Sequence, residues 1–184
     1  MAAALSGRAM RLRRTAWPST REAQHGTPAP ARGAALSGCA PVRQVHCGHV
    51  SLPANRVFAG LAERPEGWPA WFSLARDCHY EGVPPHGVGT IRLMSLRGGI
   101  RARERLLAWH ENRRFDYRVE EINMPGIRAF MEEWTVAPVA EDRTELQWTL
   151  AFDCARPARL GLQLACSRMG HIFSEGTRKM AATF

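Results

Sequence analysis

The chain has 184 residues, is 45% apolar and carries a formal net charge of +8 at pH 7, which allows one packed domain plus spare chain. It holds no run of about 18 apolar residues, so no membrane span is expected, and no apolar stretch follows the N-terminal arginines as a secretory signal requires. The charge is uneven: residues 1–41 contain Arg8, Arg11, Arg13, Arg14, Arg21 and Arg32 against Glu22 alone. That segment accounts for +5, leaving +3 for the other residues, which argues against nucleic-acid binding by the folded part.

Residues 1–41 are rich in Ala, Arg, Gly, Pro and Ser without apolar periodicity, the composition of a disordered tail. An Arg-rich, acid-poor leader is also the pattern of an organelle transit peptide; a third reading is that translation begins further in. The five cysteines (Cys39, Cys47, Cys78, Cys154 and Cys166) are odd in number, widely spaced and without a CxxC pair. They read as reduced thiols, several of them buried, and favour the cytoplasm.

An ordered domain is expected from Val42 to Phe184. Val42–Val50 reads as a strand. Ser51–Ala62 reads as a helix that starts at a proline, with Val57, Phe58 and Leu61 on its apolar side. Glu66–Phe72 reads as a short helical turn whose Trp68, Trp71 and Phe72 plug one end of a core. From Ser73 the apolar period shifts towards two, the strand signal. Strands follow at Ser73–Glu81, Val88–Leu96, Ile100–Glu111, Arg113–Ile122, Ile127–Pro138 and Thr144–Asp153. The last alternates most clearly, with Leu146, Trp148, Leu150 and Phe152 on one face. Arg156–Phe184 reads as one long amphipathic helix with Leu162, Ala165, Cys166, Met169, Ile172, Phe173 and Met180 on its apolar face. Gly176 lies on that face too, either to let the sheet pack near or to let something approach the backbone.

Strand, two short helices, six strands and a long helix is a helix-grip order. The chain from about Val42 to Phe184 resembles the START-like, or SRPBCC, superfamily of polyketide cyclases/dehydrases and lipid-transport proteins. The resemblance rests on Leu52-Pro-Ala-x-x-Val-Phe58, Trp68-x-x-Trp71, Gly87-Val-Gly-Thr-x-Arg92, Glu104, Glu133-Trp-Thr-Val136 and Thr144-x-Leu-x-Trp148. It implies an α+β fold, a seven-stranded antiparallel sheet wrapped around the C-terminal helix with an apolar cavity between them. It also implies a small hydrophobic ligand such as a lipid, polyketide or aromatic compound, but no single reaction.

Glu104 is the most informative acid. Alternation turns Arg103 and Arg105 away and places Glu104 with Ile100, Ala102 and Leu106, facing the long helix. A carboxylate there is costly unless paired or protonated; it is either a cavity group that meets a ligand or acts as a base, or the partner of Arg92 on the preceding strand. Tyr117 shares the inner face with Phe115, as a ligand-facing hydroxyl or as core. Trp134 and Trp148 are candidate aromatic walls. Arg92, Glu104, Tyr117, Trp134, Trp148, Leu150, Met169 and Phe173 form the candidate ligand site, with Glu104 and Tyr117 as the candidate acid–base pair if the protein is a cyclase or aromatase. The Arg101, Arg103 and Arg105 row reads most simply as a solvated strand face.

No metal or cofactor is expected. His46 and His49 fall on opposite strand faces, Cys47 and His49 alone make no ligand set, and Cys78 and His79 diverge as strand neighbours. Gly87-Val-Gly-Thr lacks the third glycine and following helix of a phosphate loop. The expected partner is a small hydrophobic molecule, held by a monomer or homodimer, with no nucleic acid.

Overall fold

Alternating apolar residues dictate strands that bury one face, and here they assemble into one sheet. The computed structural model describes residues 42–184, residue 40 and a two-residue strand, Met10–Arg11. The rest of the segment expected to be disordered lies outside the described residues. In chain order the elements are β1 (Val42–Val50), α1 (Ala54–Phe58), α2 (Trp68–Trp71), β2 (Ala75–Tyr80), β3 (Ile91–Leu96), β4 (Arg101–His110), β5 (Arg114–Ile122), β6 (Ile127–Ala140), β7 (Arg143–Cys154), α3 (Arg156–Leu164) and α4 (Cys166–Thr183). All seven strands pair antiparallel in the order β1-β7-β6-β5-β4-β3-β2, and Met10–Arg11 pairs with Ile122 and Glu121 at the end of β5.

The inner face of the sheet carries Leu146, Trp148, Leu150 and Phe152 from β7, Phe115, Tyr117 and Val119 from β5, and Ala102, Glu104 and Leu106 from β4, all buried. Against it pack Val57, Phe58 and Leu61 of the first helical segment, Trp68, Trp71 and Phe72 around α2, and Ile172, Phe173 and Met180 of α4. The outer face is an ion-pair lattice. Arg103 reaches Glu81 (3.2 Å) and Glu120 (3.0 Å), Arg105 reaches Glu120 (2.6 Å), and Arg114 joins Asp116 (2.5 Å) to Glu133 (3.2 Å). Two members of the arginine row expected to be simply solvated are therefore tied to acids, because Glu120 stands within reach of both.

The C-terminal helix is not continuous. It breaks at Ala165 (φ −77°, ψ −8°) into α3 and α4. None of the residues of α3 is fully buried; Ala158 and Leu162 lean on the core and the Leu162 carbonyl accepts from Gln44 Nε2 at 2.8 Å. The expected stripe splits accordingly: Ile172, Phe173 and Met180 are core, whereas Leu162, Ala165, Cys166 and Met169 are only half-buried. Gly176 is buried against α2, where an added Cβ would lie 3.5 Å from the Trp71 ring. That is ordinary contact, so close packing accounts for it, although the neighbour is a helix and not the sheet.

Gly161 is different: it is exposed, and a Cβ there would meet nothing within 4 Å. Gly161→Ala is expected to stabilise the fold by about 0.5–1 kcal/mol, raising Tm by roughly 2–4 °C. Thermal unfolding followed by circular dichroism checks this; a fall in Tm would show that Gly161 answers some other need.

Candidate functional site

The site is built from residues that face one another across neighbouring strands. Arg92 on β3 stands opposite Glu104 on β4, and Tyr117 on β5 opposite Glu132 on β6. Trp134 on β6 stands opposite Trp148 on β7, which in turn faces His46 on β1. Six of the seven strands thus supply inward side chains to a polar cluster or an aromatic row, β6 giving both Glu132 and Trp134.

The polar cluster is sealed. Arg92 is fully buried and Glu104 and Tyr117 nearly so. Arg92 Nε donates to Glu104 Oε2 at 2.7 Å, while its Nη1 and Nη2 have no hydrogen-bond partner. Those two nitrogens lie among π faces instead: the guanidinium carbon is 4.0 Å from the Tyr117 ring centre, 4.5 Å from Trp68 and 5.2 Å from Phe115. A guanidinium cannot shed its charge in a protein, so cation–π attraction and the single carboxylate must offset its desolvation.

Glu132 is the member that sequence reading missed. It is buried, and its Oε2 accepts from Tyr117 Oη at 2.5 Å and from Trp148 Nε1 at 2.7 Å. The signal was present: Glu132 lies two residues from both Phe130 and Trp134, on the inward positions of its strand. Two carboxyls and one cation share this interior, which favours keeping one acid neutral. Burial, followed by the neighbouring Glu104, pushes Glu132 up to about 7 despite its two hydrogen bonds. Burial also lifts Glu104 above the ordinary carboxylate range, with Arg92 opposing. The Tyr117 phenol is driven well above its usual value by burial and then by Glu132.

A pH dependence follows. Folded Glu132 keeps a proton that the unfolded chain releases near the ordinary value of 4.5. Its contribution to stability is therefore full below about pH 4.5 and is lost as pH rises through about 7. Asp116, raised to about 6 by burial, acts in the same direction at slightly lower pH. Denaturant unfolding should show stability falling between pH 5 and 8. Glu132→Gln should flatten that fall by an amount on the order of a few kcal/mol; an unchanged slope would contradict the assignment.

The aromatic row is packed ring on ring. Trp134 and Trp148 stack at 5.0 Å with 15° between planes, and Phe173 of α4 lies 6.1 Å from Trp148 at 25°. Trp134 Nε1 approaches Tyr117 Oη at 3.4 Å, joining the row to the polar cluster. Of the candidate ligand residues, Arg92, Glu104 and Tyr117 meet in one place, and Trp134, Trp148 and Phe173 in the next. Leu150 is buried opposite Glu132, and Met169 is half-buried near the start of α4.

The row reaches the surface at His46, whose ring is 5.7 Å from Trp148 and 6.1 Å from Phe173. Its Nε2 is buried without a partner. Beside it a groove of about 390 Å³ runs along the seam between β1 and α4, lined by Val45, His46, Gly48, Gly170 and Phe173 among others. A second groove of about 620 Å³ continues it past His49, Ser51, His171 and Arg178. The seam is tight at two glycines: a Cβ on Gly48 would lie 3.1 Å from Phe173, and one on Gly170 3.3 Å from His46. Among the described residues, no group of three or more His, Cys, Asp or Glu side chains is placed to hold a metal ion.

Residues 44–184 match the family described as polyketide cyclase / dehydrase and lipid transport. The chain belongs to that family. Over 113 residues it is 30% identical to uncharacterized protein Rv2574 of Mycobacterium tuberculosis and to its counterpart Mb2604 of Mycobacterium bovis; the match takes in 61% of this chain and 66% of each relative. The chain thus spans just under two thirds of the length of those relatives. Among solved structures, the Zhui aromatase/cyclase from Streptomyces superposes with a TM-score of 0.63 at 18% identity, covering 77% of this chain and 93% of that one. A START superfamily protein from Mycobacterium smegmatis superposes with a TM-score of 0.58 at 13% identity, over 72% and 92% of the two chains. At such identities these likenesses establish the helix-grip fold. No described helix is long and apolar enough to cross a membrane.

Proposed function

We propose that this family member binds a small, mainly apolar molecule beneath α4, admitted along the seam between β1 and α4, and holds it without a covalent step. The observation that carries this reading is the aromatic row from Trp134 through Trp148 and Phe173 to His46, which ends in the open groove beside β1. Aromatic walls with a few placed polar atoms are the usual make-up of a ligand site. Here one polar atom beside the groove is the buried, unpartnered Nε2 of His46. No residue of α3 is fully buried, so moving it aside to admit a ligand costs the half-buried contacts of Ala158 and Leu162 and the hydrogen bond from Gln44 Nε2 to the Leu162 carbonyl. The reduced, partly buried thiols suit a cytoplasmic protein.

A cyclase or aromatase reading assigns proton transfer to Glu104 and Tyr117. Both are committed elsewhere, Glu104 to Arg92 and Tyr117 to Glu132, which weighs against it. What favours an enzyme is Glu132, whose pKa of about 7 suits a general acid–base group at neutral pH.

Titration with N-phenyl-1-naphthylamine, a neutral fluorescent ring compound, tests the binding reading. The expected result is saturable one-to-one binding with energy transfer from the buried tryptophans, weakened by Gly48→Leu, which blocks the seam. Fluorescence that rises linearly without saturation would contradict it.

A further inference from the structure

The two leucines on α3 have no place in the core. Leu160 is 60% exposed and Leu164 76% exposed, and four-residue spacing sets them side by side on one helix face. Arg156 and Arg159 on α3 and Arg168 and Arg178 on α4 are exposed as well. Among the described residues none of these four arginines is paired with a carboxylate, and the acid nearest them on α4, Glu175, is held by Lys179 at 2.7 Å. Neighbouring apolar side chains on α3, with unpaired guanidinium groups along α3 and α4, match the chemistry of an anionic lipid surface, where the leucines enter the headgroup layer and the arginines meet phosphates.

We propose that the protein docks peripherally on anionic membranes through α3 and the solvent face of α4. A second copy of the chain fits this surface poorly. Four like charges would face their own images, and two leucines supply far less than the roughly 800 Å² per partner of a stable interface. A nucleic acid would satisfy the arginines but leave the leucines without a role. The inference does not depend on the proposed ligand site, since it uses only the outside of the helix. It places an exposed, weakly packed α3 against the lipid beside the mouth of the seam.

The test is co-sedimentation with vesicles of phosphatidylcholine alone and of phosphatidylcholine with about one third phosphatidylglycerol. Unaltered protein should bind the anionic vesicles at least about tenfold better, and high salt should release it. Leu160→Ser with Leu164→Ser, at positions exposed enough to leave the fold intact by circular dichroism, should weaken binding roughly tenfold. Arg156→Gln, Arg159→Gln and Arg168→Gln together should weaken it by about fivefold per arginine. Equal binding to both vesicle types, or a leucine variant that binds as well as the parent, would overturn the proposal. So would a dimer that the leucine variant makes monomeric without any vesicle binding, or arginine-dependent binding to a short DNA duplex in place of vesicles.

Discussion

Glu104→Leu is expected to destabilise the protein by about 3–5 kcal/mol, because it takes from the buried Arg92 guanidinium the one carboxylate that is hydrogen-bonded to it. Arg92 already has two nitrogens without hydrogen-bond partners, and Glu104 is its one carboxylate, 2.7 Å away. The rings of Tyr117, Trp68 and Phe115 offset part of the desolvation but do not neutralise the charge. The double variant Arg92→Met with Glu104→Leu removes both ions and fills the space with apolar atoms. It should be more stable than Glu104→Leu alone, and it can approach the parent. Guanidinium unfolding of all three at pH 7 checks this. If Glu104→Leu costs less than about 1 kcal/mol, the pair is not the closed, dehydrated unit described above.

Trp148→Ala is expected to cost about 3–5 kcal/mol, the range for emptying a large aromatic site in a core. Trp148 is 1% exposed and touches Trp134, Phe72, Phe173 and His46. Its indole N–H is also one of the two donors that pull Glu132 downward. The substitution should therefore raise the Glu132 pKa further and move the pH-dependent loss of stability to higher pH. Trp148→Phe keeps part of the ring stacking while removing the donor and a smaller volume; it should cost about 1–3 kcal/mol and move the pH profile the same way. Unfolding curves across pH for both variants separate packing from hydrogen bonding. A pH profile unmoved in either would mean that Trp148 acts through packing alone.

Much of the fold was legible because the large apolar side chains of several strands alternate clearly. In Thr144–Asp153 every second residue from Leu146 to Phe152 is apolar, and in Ile100–Leu106 the single inward acid, Glu104, lies between outward arginines. That alternation fixed the strand faces and put Glu104 opposite Arg92, the pair seen in the sheet. The interruption at Ala165 was not legible, because the apolar stripe runs through it at a constant angle. Glu132 was overlooked because Glu133 stands next to it, and two adjacent acids look like a solvated pair until the register shows one of them under Tyr117 and Trp148. The sequence shows His46 only as a histidine without metal-binding companions, and alternation alone does not show that its ring ends the aromatic row. The ion pairs of Arg103 and Arg105 also depend on which strand lies alongside, which one sequence does not reveal.

The most direct test of a ligand beneath α4 is native mass spectrometry of the protein purified from its own host, followed by denaturing extraction. The expected result is a species heavier than the bare chain that collapses to the bare-chain mass on denaturation and releases one class of small apolar compound. A single species at the bare-chain mass, with nothing apolar in the extract, would contradict it.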